Sequence, residues 1–321
     1  MAKTASSQTK AKKVSLLQDI LNNKFSYLIA LPAIAYVFIF SYWAYPYMVV
    51  AFQRFNFRNN NLWAIFTQGE WVGFDNFRFF FASHHAAVVT FNTLYLNLLF
   101  IITGTVAAVL IAILLNELTS KIFVNVSQSM MILPSYISWV VVSFMLMGLF
   151  SSQHGLLNRG LEFFNHSGIN WYLTPEVWPT VLVIMRIWRG AGMTAIIFLA
   201  SIAGMGSEFF EAAAIDGANR FQQIIYIRLP LLMPTIIIMT LLSVGRIMFG
   251  DFGMIYAIVG DNGVLFSTTD IIDTFLFRAL RQVGDPSQAM AIGLFQSAIG
   301  FVLVFGSNWL ARKFYPDGAL Y

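Results

Sequence analysis

The chain has 321 residues, 58% of them hydrophobic and 11% charged, with a formal net charge of +4 and no cysteine. Soluble domains carry about 25% charged residues, so the composition excludes an ordinary globular fold; the lack of cysteine excludes disulfides, thiolate metal sites and a cysteine nucleophile. The excess of base sits mainly in the first 24 residues, with five lysines against one acid, which points to a membrane-flanking tail rather than to nucleic acid.

In chain order, residues 1–26 read as that basic tail and 27–321 as one transmembrane domain. Apolar runs of the roughly 20 residues that cross a bilayer core fall at 27–52, 88–115, 130–150, 180–203, 235–259 and 289–310. They are continuous blocks, not alternating residues, so they predict an all-α polytopic membrane bundle of six transmembrane helices and not a barrel. The first run is too long for the core of a cleaved signal peptide and is expected to stay as a helix. With the N-terminus in the cytoplasm, the inner segments hold ten basic residues and the outer loops six. That bias predicts both termini inside. Trp43, Tyr45, Tyr47, Trp171, Tyr172 and Trp178 then fall near the outer interface, where amphipathic rings are favoured.

Much familiar chemistry is missing. None of the seven lysines stands in G-x-x-x-x-G-K-[ST], and H-E-x-x-H and G-x-S-x-G are absent, so no nucleotide cradle, zinc protease helix or serine nucleophile is expected. His84, His85, His154 and His166 show no tight ligand spacing, and no metal site is expected. The chain reads as a non-enzyme that binds no cofactor, and uphill transport would draw on an ion gradient or a partner subunit.

One segment breaks the oily pattern: SEFFEAAAIDGANRFQQIIYIRLP, residues 207–230, between the fourth and fifth runs. Ser207 can cap a helix whose first turn suits Glu208 and Glu211. Ala212, Ala213 and Ala214 favour helix and leave room for another surface. Gly217 can end that helix in the left-handed conformation. A second helix from Ala218 would set Phe221, Ile224, Ile225 and Arg228 on one side, with Pro230 and Pro234 breaking it before the fifth span. The shape is a two-helix elbow on the cytoplasmic side, either a docking element or a connecting loop.

Within it, Glu211-Ala212-Ala213, Asp216-Gly217-Ala218, Ile227 and Leu229-Pro230 resemble the EAA motif of permease subunits in binding-protein-dependent ABC importers, in its maltose-type carbohydrate form. LPAIAYVFIFSYWAYPYMVVAFQRFNF, WVGFDNFRFFF, DIIDTFLFRAL and IGLFQSAIGFVLVFGSNWLARKF resemble the LplB-like polysaccharide subfamily, some members of which serve alginate or pectin fragments. The resemblance implies a permease in the bacterial inner membrane. It implies a second related permease, two ATPase subunits that use ATP and Mg²⁺, and a solute-binding protein outside. By the same resemblance, Glu211 through Gly217 form a coupling helix seated in an ATPase groove, with Leu229 and Pro230 closing the motif.

The remaining signal is charge inside the apolar runs. Arg186 and Arg189 share a helix face in the fourth, Arg246 falls near the middle of the fifth, and Asp251 lies five residues on, where it cannot pair with Arg246 along one helix. Arginine at membrane depth is costly, by about 2.5–3.5 kcal/mol on insertion scales, and normally lines a cavity or pairs. Two readings stay open: interhelical ion pairs, or a cationic pathway, with Trp188 beside it, for a carboxylated sugar held by guanidinium forks. A neutral oligosaccharide, met by aromatic faces, is the alternative cargo, and an ion-coupled secondary transporter the rival class.

Overall fold

The computed structural model describes residues 22–55, 61–82 and 84–314; nearly all of the basic tail lies outside the described residues. Helix α1 (Lys24–Val37) runs on through a π-wound turn (Phe38–Tyr42) and a 3-10 stretch (Tyr45–Phe52) as a first span of 29 residues. No residue from Lys24 to Tyr42 is buried by the rest of the chain. An all-apolar rod of this kind suits lipid or another subunit. A short antiparallel ribbon, β1 (Gln53–Arg54) against β2 (Glu70–Trp71), brackets α2 (Leu62–Gln68). Helix α3 (Asp75–Ala82) then leads to α4 (His84–Glu117), 34 residues long.

The third predicted run is not one straight helix. Helix α5 (Lys121–Ile132) passes through a 3-10 turn at Leu133–Tyr136 and meets α6 (Trp139–Phe150) at a bend of 95°. Pro134 brings no N–H to the ladder, and the Ser138 hydroxyl accepts the Val141 N–H at 3.3 Å to start α6 afresh. Helix α7 (Leu156–Phe163) follows in a loop tied by Asn158, which is buried. Its amide donates to the carbonyls of Ser152 and Ile169, and its oxygen accepts from Ile169 N–H and Trp171 Nε1 at 3.1 and 2.9 Å.

Helix α8 (Trp178–Ala203) is the fourth crossing; α9 (Ser207–Ile215) and α10 (Arg220–Gln223) form the elbow. The fifth crossing differs from expectation. Helical winding is continuous over Arg220–Val244, through a π-wound turn (Ile224–Arg228) and α11 (Leu229–Val244). Neither Pro230 nor Pro234, which lies inside α11, therefore breaks it. The π turn moves the hydrogen-bond ladder by one residue, with Leu229 N–H bonded to the Ile224 carbonyl, so the donor missing from Pro230 falls at the start of the renewed α register. The helix stops instead at Val244, inside the run predicted as 235–259, and resumes as α12 (Phe252–Val259). Helices α13 (Phe266–Thr269), α14 (Ile272–Val283) and α15 (Pro286–Phe314) complete the described residues.

Among the described residues, five helices are long and apolar enough to cross a membrane, or six if the bent α5–α6 pair counts as one span. The fold is the all-α polytopic bundle. Its central contact is α4 against α8, where Ala108, Ala112 and Ala195 are fully buried beside Phe198. Small residues at that seam let two apolar helices approach closely without help from water. A second core gathers Leu182, Leu146, Met254 and Trp178 at the opposite end from the elbow.

Candidate functional site

The elbow is built by its caps. Gly206, not Ser207, takes the N-cap position of α9, and no side chain caps that end; Ser207 is the first helical residue. Glu208 occupies the first turn as expected for a helix dipole. At the other end Gly217 has φ +82°. Its N–H bonds the Ala214 carbonyl at 3.1 Å, and the Ala218 N–H bonds the Ala213 carbonyl at 2.9 Å, the pair of bonds that defines a Schellman stop. Two residues later Asn219 opens α10 with a reciprocal box: its side chain accepts Gln222 N–H at 2.9 Å, and Gln222 accepts Asn219 N–H at 2.8 Å. The turn between the helices is thus held from both sides and behaves as one rigid corner.

This corner is anchored inward and bare outward. Ile224 and Leu229 pack on the α4–α8–α11 core. Arg228, buried, donates to the Glu117 carboxylate at the end of α4 and lies 5.2 Å from the Phe210 ring centre. Arg220 approaches the same carboxylate at 3.7 Å. Sequence reasoning placed Arg228 among the elbow residues and missed Glu117, because the pair spans 111 positions. On the outer side Glu211, Ala212, Asp216 and Pro230 are exposed and Ala213 is half-buried. Phe209, Phe221, Tyr226 and Ile215 are also exposed, Ile215 at 87%. Apolar side chains so bare beside an acid and small alanines leave this surface open for contact.

The second feature lies where the fifth crossing breaks. Residues 245–250 are non-helical, and each backbone group freed there needs a partner at membrane depth. Asn97 of α4 donates to the carbonyls of Ile247 and Phe249 at 2.9 and 3.3 Å. Gln296 of α15 donates to the Met248 carbonyl at 2.9 Å, and Asp273 of α14 accepts the Gly250 N–H at 2.8 Å. Burial pushes the Asp273 carboxyl above its ordinary range, although the bonds from Gly250 and Gln296 pull the other way. Asn97, Gln296 and Asp273 are functional supports that the sequence reading did not single out. Asn97 and Gln296 were findable, as two of the few amides in long apolar runs, with Asn92 in the one and Asn308 in the other.

Non-helical backbone at this depth is tolerated where it lines a cavity, and it does so here. A cavity of about 720 Å³ is lined by Arg186, Arg246, Asp251, Phe252, Asn97 and Thr194 among others. Arg186 Nη1 donates to Asp251 Oδ2 at 2.5 Å, joining α8 to the start of α12. Asp251 Oδ1 caps α12 by accepting Met254 N–H at 3.0 Å. Arg246 sits in the break rather than mid-helix, exposed, and its guanidinium has no ion-pair or hydrogen-bond partner among the described residues. Arg189 and Trp188 are not among the lining side chains. Arg189 turns away to donate to the Ile137 carbonyl at 2.9 Å and to cover the Trp139 ring at 4.4 Å, which closes the α5–α6 bend. So Arg186 and Arg189, expected to share one face, do different work: Arg186 pairs in the cavity and Arg189 serves as a structural plug. Among the described residues no cluster of three or more histidine or acidic side chains is placed to hold a metal.

A bundle with a capped elbow and a charged cavity at a broken crossing can be set against known proteins. Protein LplB of Bacillus subtilis is 30% identical over 310 residues, 97% of this chain and 95% of the relative. The polygalacturonan/rhamnogalacturonan transport system permease protein YteP of the same organism is 31% identical over 96% of this chain and 94% of its own length. Among solved structures, a bacterial ABC transporter involved in the import of the acidic polysaccharide alginate superposes with a TM-score of 0.82 at 28% identity, covering 94% of this chain and 99% of that one. A bacterial alginate ABC transporter in complex with an alginate pentasaccharide-bound periplasmic protein superposes with a TM-score of 0.80. Residues 101–316, which hold the elbow and most of the residues lining the cavity, match the family of binding-protein-dependent transport system inner membrane components. The chain belongs to that family: it is a multi-pass permease of an ABC sugar importer, and ATP is hydrolysed by partner subunits rather than by this chain.

Proposed function

We propose that this permease carries acidic oligosaccharides, uronate chains of the alginate or pectin kind, into the cytoplasm. The observation that carries the reading is the cavity at the broken crossing, where two arginines face one aspartate and Arg246 is left without a counter-charge. Guanidinium forks match carboxylates two bonds at a time, and the likeness to a transporter involved in alginate import lends support. In the same reading the elbow lies in the cytoplasm with both termini. Glu211, Ala212, Ala213, Asp216 and Gly217 seat in an ATPase, while Leu229 and Pro230 carry its movement into α11. The working unit then holds a second, related permease, two ATPases that bind ATP and Mg²⁺, and a solute-binding protein that delivers cargo to the outer face.

Neutral oligosaccharides are the second reading, because Asp251 already neutralises Arg186 and Phe249 and Phe252 line the same cavity. Uptake by the reconstituted complex separates the two. With cargo-loaded binding protein outside and ATP inside, uronate tetrasaccharides should accumulate and neutral tetrasaccharides of equal length should not. Accumulation of neutral sugars alone would overturn the acidic-cargo reading.

A further inference from the structure

Asp251 is placed to do more than hold a bundle together. Its two oxygens have separate tasks: Oδ1 caps α12 through Met254 N–H, and Oδ2 alone holds Arg186. Release of Arg186 would therefore leave α12 capped and the aspartate still hydrogen-bonded. The pair is also reachable, since the Arg186 side chain is 44% exposed and that of Asp251 22%, both on the cavity wall. Part-exposed ion pairs contribute little net stability, so such a pair opens at small cost. Beside it, the Phe252 ring lines the cavity and is braced by Tyr256, stacked at 5.2 Å, and by Phe277 at 5.1 Å. A braced ring on the wall of a cavity that two arginines also line offers a sugar an apolar face and charged groups in one space. The Arg246 guanidinium, on the well-bonded break, has no partner among the described residues, although a cation at this depth needs water or an anion.

We propose that this cavity is a carboxylate-exchange subsite: Arg246 takes the carboxylate of an incoming uronic residue, and a second carboxylate displaces Asp251 from Arg186. Asp251 is then an internal stand-in for substrate. It keeps Arg186 satisfied while the cavity is empty and, by returning, drives release. This rests on the acidic-cargo reading and adds to it a named site and an order of events.

The test is equilibrium binding of alginate tetrasaccharide to the purified complex, without the binding protein. Arg246→Gln should weaken binding by about ten- to a hundredfold, the usual worth of a charge-assisted hydrogen-bonded contact, with Arg246→Lys intermediate. Asp251→Asn keeps the cap, because asparagine caps as well as aspartate, yet removes the competitor, so it should tighten binding several-fold. Opposite signs at two neighbouring wall positions are not what loss of packing produces. If the native complex binds tetrasaccharide and Asp251→Asn weakens it or leaves it unchanged, the exchange is refuted while the acidic-cargo reading stands. A complex that falls apart on Arg246→Gln but assembles with Arg246→Lys would make Arg246 an inter-subunit ion-pair partner, and this too overturns the proposal. Native complex that binds neutral tetrasaccharide but no uronate removes the cargo reading itself.

Discussion

Glu117→Gln tests how the elbow is fastened to the membrane bundle. The Arg228 side chain is 10% exposed and its Nε, though buried, has no hydrogen-bond partner. Apart from the Phe210 face, the Glu117 carboxylate is what compensates its charge. Removing one member of a buried pair costs about 3–5 kcal/mol, because the other charge is left uncompensated. The Glu117 side chain is 26% exposed and glutamine still offers a carbonyl, so the lower end, about 3 kcal/mol, is expected. Arg220 reaches the same carboxylate at 3.7 Å but is 76% exposed, so Arg220→Ala should cost under about 1 kcal/mol. Reversible unfolding of the purified chain in SDS would read these values. A double variant, Glu117→Leu with Arg228→Met, removes both charges and should recover most of the loss. In the assembled complex Glu117→Gln should leave ATP hydrolysis running while uptake falls, because the corner moves without pulling α4. Single-variant costs that simply add, with a coupling within about 0.5 kcal/mol of zero, would refute the idea that one carboxylate locks the elbow.

Gly217 has φ +82° and open space where a Cβ would stand, so any effect of substitution there is conformational. Gly217→Asn should be tolerated and Gly217→Val should cost about 1–2 kcal/mol and uncouple ATP hydrolysis from uptake; equal coupling ratios for the two would contradict this. Asn158→Ala leaves Ile169 N–H and Trp171 Nε1 without their acceptor, about 1 kcal/mol for each of these part-buried bonds. It should make the 151–175 loop sensitive to protease from outside in intact vesicles, and unchanged cleavage would count against the network. For Asp273 the raised carboxyl means that the folded chain holds its proton more tightly than the unfolded one. Its contribution is fullest below the ordinary value of 3.8 and is lost as pH rises through the raised value. Asp273→Asn should flatten that fall and leave the chain more stable near neutral pH, while its Oδ1 still accepts Gly250 N–H; a pH–stability profile identical to the native one would be the contrary result.

Much of this architecture was legible because lipid imposes simple rules. Apolar runs announced the crossings, and Ala212–Ala214 with Gly217 announced a helix and its stop. What stayed hidden were the breaks. Apolar residues continue on both sides of Pro134–Ser138 and Gly245–Gly250, so each run reads as one span, and Arg246 reads as a charge within a span rather than as the mark of a break. The chain compensates them at a distance, through Asn97, Asp273 and Gln296, and distance is what a linear reading lacks. The same reason separates Arg186 from Arg189. Helical spacing put them on one face, but their partners, Asp251 and the Ile137 carbonyl, are 65 and 52 positions away. Pro230 was misjudged for a local reason, because a π turn absorbed its missing donor.

The chain has no cysteine, so one introduced thiol reports on one place. Ala212→Cys puts it on the exposed face of α9, in the assembled complex and opposite a single cysteine on the ATPase surface. The account predicts that a reducible cross-linker joins the two chains, that joining them stops ATP-driven uptake, and that reduction restores it. Full uptake by the linked complex, or no link in a complex shown to be assembled, would contradict the claim that an ATPase moves this pore by its elbow.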